Sequence, residues 1–87
     1  MRDIQLQRRL LEWMREMERD SPVFDGKVPR EYLLQRMGRE FGDSPDSHDR
    51  YMEAATELRD EGLVHAPGRE FTILSLTDKG RRAARGR

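Results

Sequence analysis

Hydrophobic positions along this chain recur first with a helical period and then, past residue 62, with an alternating one. Leu6, Leu10, Trp13, Met14 and Met17 fall at spacings of four, three, one and three. That is one face of a 3.6-residue repeat, and it predicts a helix over 3–19. The opposite face carries Arg8, Arg9, Glu12, Arg15, Glu16 and Arg19. Asp20-Ser21-Pro22 stops this helix, because a proline disfavours helical geometry in the residue before it. Val23 to Val28 reads as a loop with a short strand, turned at Asp25-Gly26, with Phe24 and Val28 as inward anchors.

A second helix opens at Pro29, whose missing N–H costs nothing in a first turn. Tyr32, Leu33, Met37 and Phe41 form its inward stripe, and Gly38 or Gly42 closes it. Asp43-Ser44-Pro45-Asp46-Ser47 is a turn dense in capping residues, with Ser44 or Asp46 as the cap of a third helix running to about Glu61. Tyr51, Ala54, Ala55 and Leu58 are its inward stripe. Gly62 supplies the stop. Strands at 63–66 and 71–76 follow, joined by Pro67-Gly68-Arg69-Glu70. Thr77 caps a last short helix with Asp78 in its first turn, where a negative charge suits the helix dipole.

The 87 residues suffice for one domain with a modest core. Charged residues make up 39% and hydrophobic residues 34%, but the clustering of the latter predicts a folded chain. The absence of cysteine excludes disulfides, thiolate metal sites and cysteine nucleophiles. No run approaches the roughly 18 apolar residues of a membrane span, and the N-terminus lacks the apolar stretch of a signal peptide. The expectation is a cytoplasmic protein without membrane contact.

Seventeen basic and seventeen acidic residues cancel, yet they are unevenly placed. Residues 46–62 hold Asp46, Asp49, Glu53, Glu57, Asp60 and Glu61 against Arg50 and Arg59. From about residue 79 the tail holds Lys79, Arg81, Arg82, Arg85 and Arg87 with no acid. A neutral total gives no general attraction to nucleic acid, so any such attraction must come from local patches.

The segments LRDEGLV at 58–64 and LSLTDKGRRA at 74–83 resemble those of winged helix-turn-helix proteins, in particular the MarR- and PadR-type regulators. In these families the third helix commonly ends in Leu, three polar residues, Gly and two apolar residues. The second wing strand commonly ends in Leu-Thr-x-x-Gly. The resemblance implies a mainly α fold with a small β-hairpin: a three-helix core, a two-stranded antiparallel wing and a short C-terminal helix, as one winged-helix domain over 1–87. It also implies duplex DNA as partner and a role as a small transcriptional regulator. The third helix would enter the major groove through His48, Arg50 and Thr56. Lys27, Arg30 and Arg69 would meet phosphates, with Lys79 and Arg81 of the tail adding charge. Regulators of this kind usually dimerise through an extra long helix. Here the first helix, around Trp13, is what remains for a homodimer.

Against that stands the acidity of the third helix, because phosphate neutralisation supplies most of the affinity for a duplex. The competing expectation is a protein-interaction module that docks a basic partner on its acidic third helix or on its first-helix face. Asp43, Asp46, His48 and Asp49 are read as helix-capping and surface residues rather than metal ligands, since their spacing matches no calcium loop. No nucleophile elbow, phosphate-cradling glycine loop or zinc-protease pattern occurs, so neither an enzyme nor a cofactor is expected.

Overall fold

Asp3 starts the first helix by accepting a 3.0 Å hydrogen bond from the Leu6 N–H on its carboxylate, the usual role of an N-cap aspartate. The computed structural model describes residues 3–20 and 25–85. Within them the chain runs α1 (Ile4–Asp20), β1 (Lys27–Pro29), α2 (Arg30–Phe41), α3 (Ser47–Asp60), β2 (Val64–His65), β3 (Ile73–Leu76) and α4 (Asp78–Arg85). The Ser21-Pro22 stop, Val23, the Phe24 anchor and Arg87 lie outside the described residues.

The fold is mainly helical with one small antiparallel sheet, and that sheet has three strands in the order β1-β3-β2. Lys27, Val28 and Pro29 pair with Ser75, Leu74 and Ile73; Val64 and His65 pair with Leu76 and Ser75. The short strand before α2 therefore joins the expected hairpin and widens it. Both hairpin strands are shorter than their apolar runs. Phe71 adopts φ +54°, which turns its ring into the core and interrupts the extended backbone, so β3 begins only at Ile73.

The helical stripes converge on one core. Leu6, Leu10, Leu11, Trp13 and Met14 of α1 meet Leu33 and Met37 of α2, and Tyr51, Ala54, Ala55 and Leu58 of α3. Val28, Val64, Leu74 and Leu76 close it from the sheet. Tyr32, Phe41 and Met17 are only partly buried at its edge. The buried Tyr51 hydroxyl donates a 2.7 Å hydrogen bond to the Phe71 carbonyl, and burial pushes its phenol well above the ordinary range.

Neither expected cap of α3 bonds a first-turn helix N–H through its side chain; the Ser44 hydroxyl donates to the Asp46 carboxylate and accepts the Asp46 N–H at 3.4 Å. Asp46 stands at the N-cap without a side-chain capping bond, and the Ser44 N–H instead donates to the Ser47 hydroxyl at 3.2 Å. Pro29 likewise sits just before α2 rather than in its first turn, as the last residue of β1. The end of α3 follows expectation. Gly62, at φ +75°, donates to the Arg59 carbonyl at 2.9 Å, and Leu63 donates to the Leu58 carbonyl at 2.9 Å. This pair of bonds is the Schellman arrangement.

The two sequence segments that carry the family resemblance meet at this turn. The Thr77 N–H donates to the Leu63 carbonyl at 3.1 Å and its hydroxyl donates to the Gly62 carbonyl at 2.6 Å. That hydroxyl also accepts the Gly80 N–H at 3.0 Å, capping α4. A Cβ at Gly80 would lie 1.9 Å from the Leu63 carbonyl oxygen. Leu-Thr-x-x-Gly is thus a clasp: leucine in the core, threonine bonding the helix stop, glycine letting α4 lie on it.

The seam between α1 and α2 is built differently. Trp13 is fully buried, with the guanidinium groups of Arg9 and Arg36 each 5.4 Å from its ring and Phe41 edge-on at 6.3 Å. Arg9 pairs with Glu40 at 2.7 Å and with Glu12, while Arg36 pairs with Glu16 at 3.4 Å and donates to the Tyr32 hydroxyl at 3.0 Å. Arg9 holds the Glu40 carboxyl below its ordinary value. The Trp13 indole N–H has no hydrogen-bond partner among the described residues.

Candidate functional site

Eight side chains were expected to meet a nucleic acid, and most are engaged within the chain. Arg50 pairs with Asp3 at 2.8 Å and lies over the Phe41 ring at 5.6 Å, which turns it from the outer face of α3 back toward α1. The Thr56 hydroxyl donates to the Met52 carbonyl one turn earlier, at 2.7 Å. Arg81 grips Glu18 at 2.8 Å and Asp78 at 2.9 Å. The Lys79 ammonium donates to the Glu61 carbonyl at 2.9 Å. Arg30 donates to the Glu70 carbonyl at 3.1 Å. Lys27, His48 and Arg69 are exposed and make no ion pair or hydrogen bond among the described residues.

Arg30 and Arg59 brace the base of the hairpin from two helices. Arg59 lies 4.9 Å over the Phe71 ring, next to the Glu70 carbonyl that Arg30 holds. The hairpin tip, with Arg69 exposed, therefore projects from a fixed base.

The outer line of α3 runs through Asp49, Glu53, Thr56 and Asp60, at steps of four, three and four. All three carboxylates are exposed. Asp60 keeps a loose 3.9 Å pair with Arg59; Asp49 and Glu53 have no partner among the described residues. Glu57 is drawn aside to accept a 2.9 Å hydrogen bond from the buried Gln7 amide of α1. Packing thus separates the α3 charges into two sets. Arg50, Arg59 and Glu57 serve the fold, and the acids left on the outer line face water.

Sequence reasoning missed Asp3, Gln7 and the sheet row made by Lys27, Ser75 and His65. Asp3 looked like an ordinary first-turn acid, and Gln7 broke the apolar stripe. The row depends on register, since Lys27 and His65 flank Ser75 from opposite strands. Only the extra strand could have signalled it.

The first-helix face holds a groove of about 280 Å³ lined by Ile4, Leu11, Leu58, Leu63, Ala83 and Ala84, with charged neighbours such as Arg8 and Glu12. Trp13, expected to anchor a dimer there, instead gives its whole area to the core. Among the described residues no cluster of acids and histidines is arranged to hold a metal ion. Among those residues no helix is long and apolar enough to cross a membrane. No family model, curated protein or solved structure matches the chain.

Proposed function

We propose that the chain is a winged-helix-type binding module that docks a basic protein surface on the outer line of α3. The carrying observation is the exposed run of Asp49, Glu53 and Asp60, from which Arg50 has been turned away to Asp3. Carboxylates held on a rigid helix attract a cationic partner and fix its register, which raises association rate and specificity more than raw affinity. A duplex approaching the same helix would bring phosphates against those carboxylates. The neutralisation that normally supplies affinity would be missing there.

DNA binding by a small transcriptional regulator is the second reading, favoured by Lys27 and Arg69, whose side chains have no partner among the described residues, and by Arg30 at the start of α2. In that reading the duplex meets the hairpin and the sheet more than α3, and His48 and Thr56 contribute little.

Fluorescence anisotropy separates the two. A labelled helical peptide rich in lysine and arginine should bind the unmodified chain at low salt, while a mixed-sequence duplex at about 50 mM salt should not. The double reversal Asp49→Lys, Glu53→Lys should abolish peptide binding. Salt-sensitive duplex binding by the unmodified chain, weakened by Lys27→Ala and Arg69→Ala, would replace the first reading with the second.

A further inference from the structure

The face of the sheet turned away from the core is chemically opposite to the outer line of α3. Residues directly paired across strands put their side chains on the same face. Lys27 and His65 both pair with Ser75, so an amine, a hydroxyl and an imidazole stand in one row across three strands. The strand spacing places the outer two Cα atoms roughly 10 Å apart. Lysine and histidine side chains spanning that distance can reach one group seated above the serine. On the opposite face Val28, Leu74, Val64 and Leu76 fill the core, so the row cannot fold inward.

This row borders a depression of about 250 Å³ lined by Lys27, His65, Pro67, Ile73 and Ser75. Among the described residues its lining contains no acid. The side chains of Lys27, His65 and Ser75 have no hydrogen bond or ion pair among the described residues, so their side-chain donors are unspent. Ile73 is 44% exposed, one of two large hydrophobic residues left so open among those described. With Pro67 it forms an apolar shelf beside the polar row. A compact site pairing a cation and neutral donors with an apolar shelf matches a small ligand with one anionic and one apolar end.

We infer that this face binds a phosphate monoester carrying a small apolar group. The phosphoryl oxygens accept from the Lys27 ammonium, the Ser75 hydroxyl and an imidazole N–H of His65, while the apolar group covers Ile73 and Pro67. A carboxylate offers fewer acceptor oxygens to three donors approaching from different strands, so phosphate fits better. The α3 assignment is independent, since no residue is shared.

Phenyl phosphate and inorganic phosphate, titrated into the full chain and followed by amide NMR, test the inference. Phenyl phosphate should give saturable shifts centred on residues 27, 65, 73 and 75, with a dissociation constant on the order of 1 mM. Inorganic phosphate should bind at the same residues several-fold more weakly. Lys27→Met, at an exposed position, should weaken phenyl phosphate about tenfold without changing the circular dichroism spectrum. Ile73→Ser should erase the preference for phenyl phosphate. Four results would each overturn the inference: no saturation by about 10 mM, shifts centred on Arg82 and Arg85, equal affinity for both probes, or an unaffected Lys27→Met variant. Displacement of phenyl phosphate by a mixed-sequence duplex at micromolar concentration would also overturn it. The row would then be a phosphate contact for nucleic acid, not a small-ligand site.

Discussion

The α1–α2 seam and the outer line of α3 contain similar residues and use them in opposite ways. At the seam, Arg9 and Arg36 are held by Glu40, Glu12 and Glu16 while their guanidinium planes cover Trp13. Along α3, Asp49 and Glu53 face water without a partner among the described residues. The difference comes from what lies beneath. A large aromatic ring gives a long cationic side chain an apolar stem contact and a π-face, so charge is drawn into the packing. Ala54 and Ala55 let α3 lie close to the core and offer nothing for an outward acid to lean on. A net charge of zero therefore conceals one region where charge is structural and another where it is displayed.

The sharpest way to break the comparison is Trp13→Ala. It removes the ring that organises the seam and should cost about 4 kcal/mol, as other buried aromatic truncations do. For a chain this short that is a loss of roughly 16–32 °C in Tm, read by thermal circular dichroism. Next is Gly80→Ala, where the new methyl would sit 1.9 Å from the Leu63 carbonyl oxygen. It should cost about 2–3 kcal/mol. Amide exchange should rise first in α4, because its docking onto the helix stop fails before the core does.

Smaller effects probe one paired and one displayed charge. Asp3 is held below its ordinary value of 3.8 chiefly by the hydrogen bond from Arg50, assisted by the Leu6 N–H and opposed by burial. A carboxyl with a depressed folded-state pKa contributes stability above its unfolded value and loses it as pH falls through the folded one. Asp3→Asn should therefore destabilise the chain at neutral pH by no more than about 1 kcal/mol. Urea midpoints of variant and parent should converge below pH 3.8. The smallest effect on stability belongs to Glu53→Lys, within about 0.5 kcal/mol, although the same change should weaken basic-peptide binding most. A large loss of stability there would mean that the outer line of α3 is structural after all.

Much of this architecture was legible in the sequence, because it follows from local periodicity. The α3 stripe of Tyr51, Ala54, Ala55 and Leu58 is buried as its spacing requires, and Thr77 caps α4 as expected. What stayed hidden depends on partners far apart in the chain. Arg50 meets Asp3 across 47 positions and Arg81 meets Glu18 across 63, so helical spacing alone leaves both arginines looking free. The third strand is three residues long, too short for an alternating pattern, and exists because β3 offers it an edge. Gln7 is buried only because Glu57 accepts its amide proton. The acidic line was foreseen. What sequence could not separate is which of its charges the fold consumes.

Trp13 is the single tryptophan of the chain, and its seat at the seam makes it an internal spectroscopic gauge. Its emission reports the closure of α1 on α2 and shifts when that seam opens. The α3 outer line and the sheet row lie on other elements, so ligands there can be titrated against an indole that stays in place. A binding signal without an emission shift would show a partner held by a rigid surface. A shift would show that docking reaches the core.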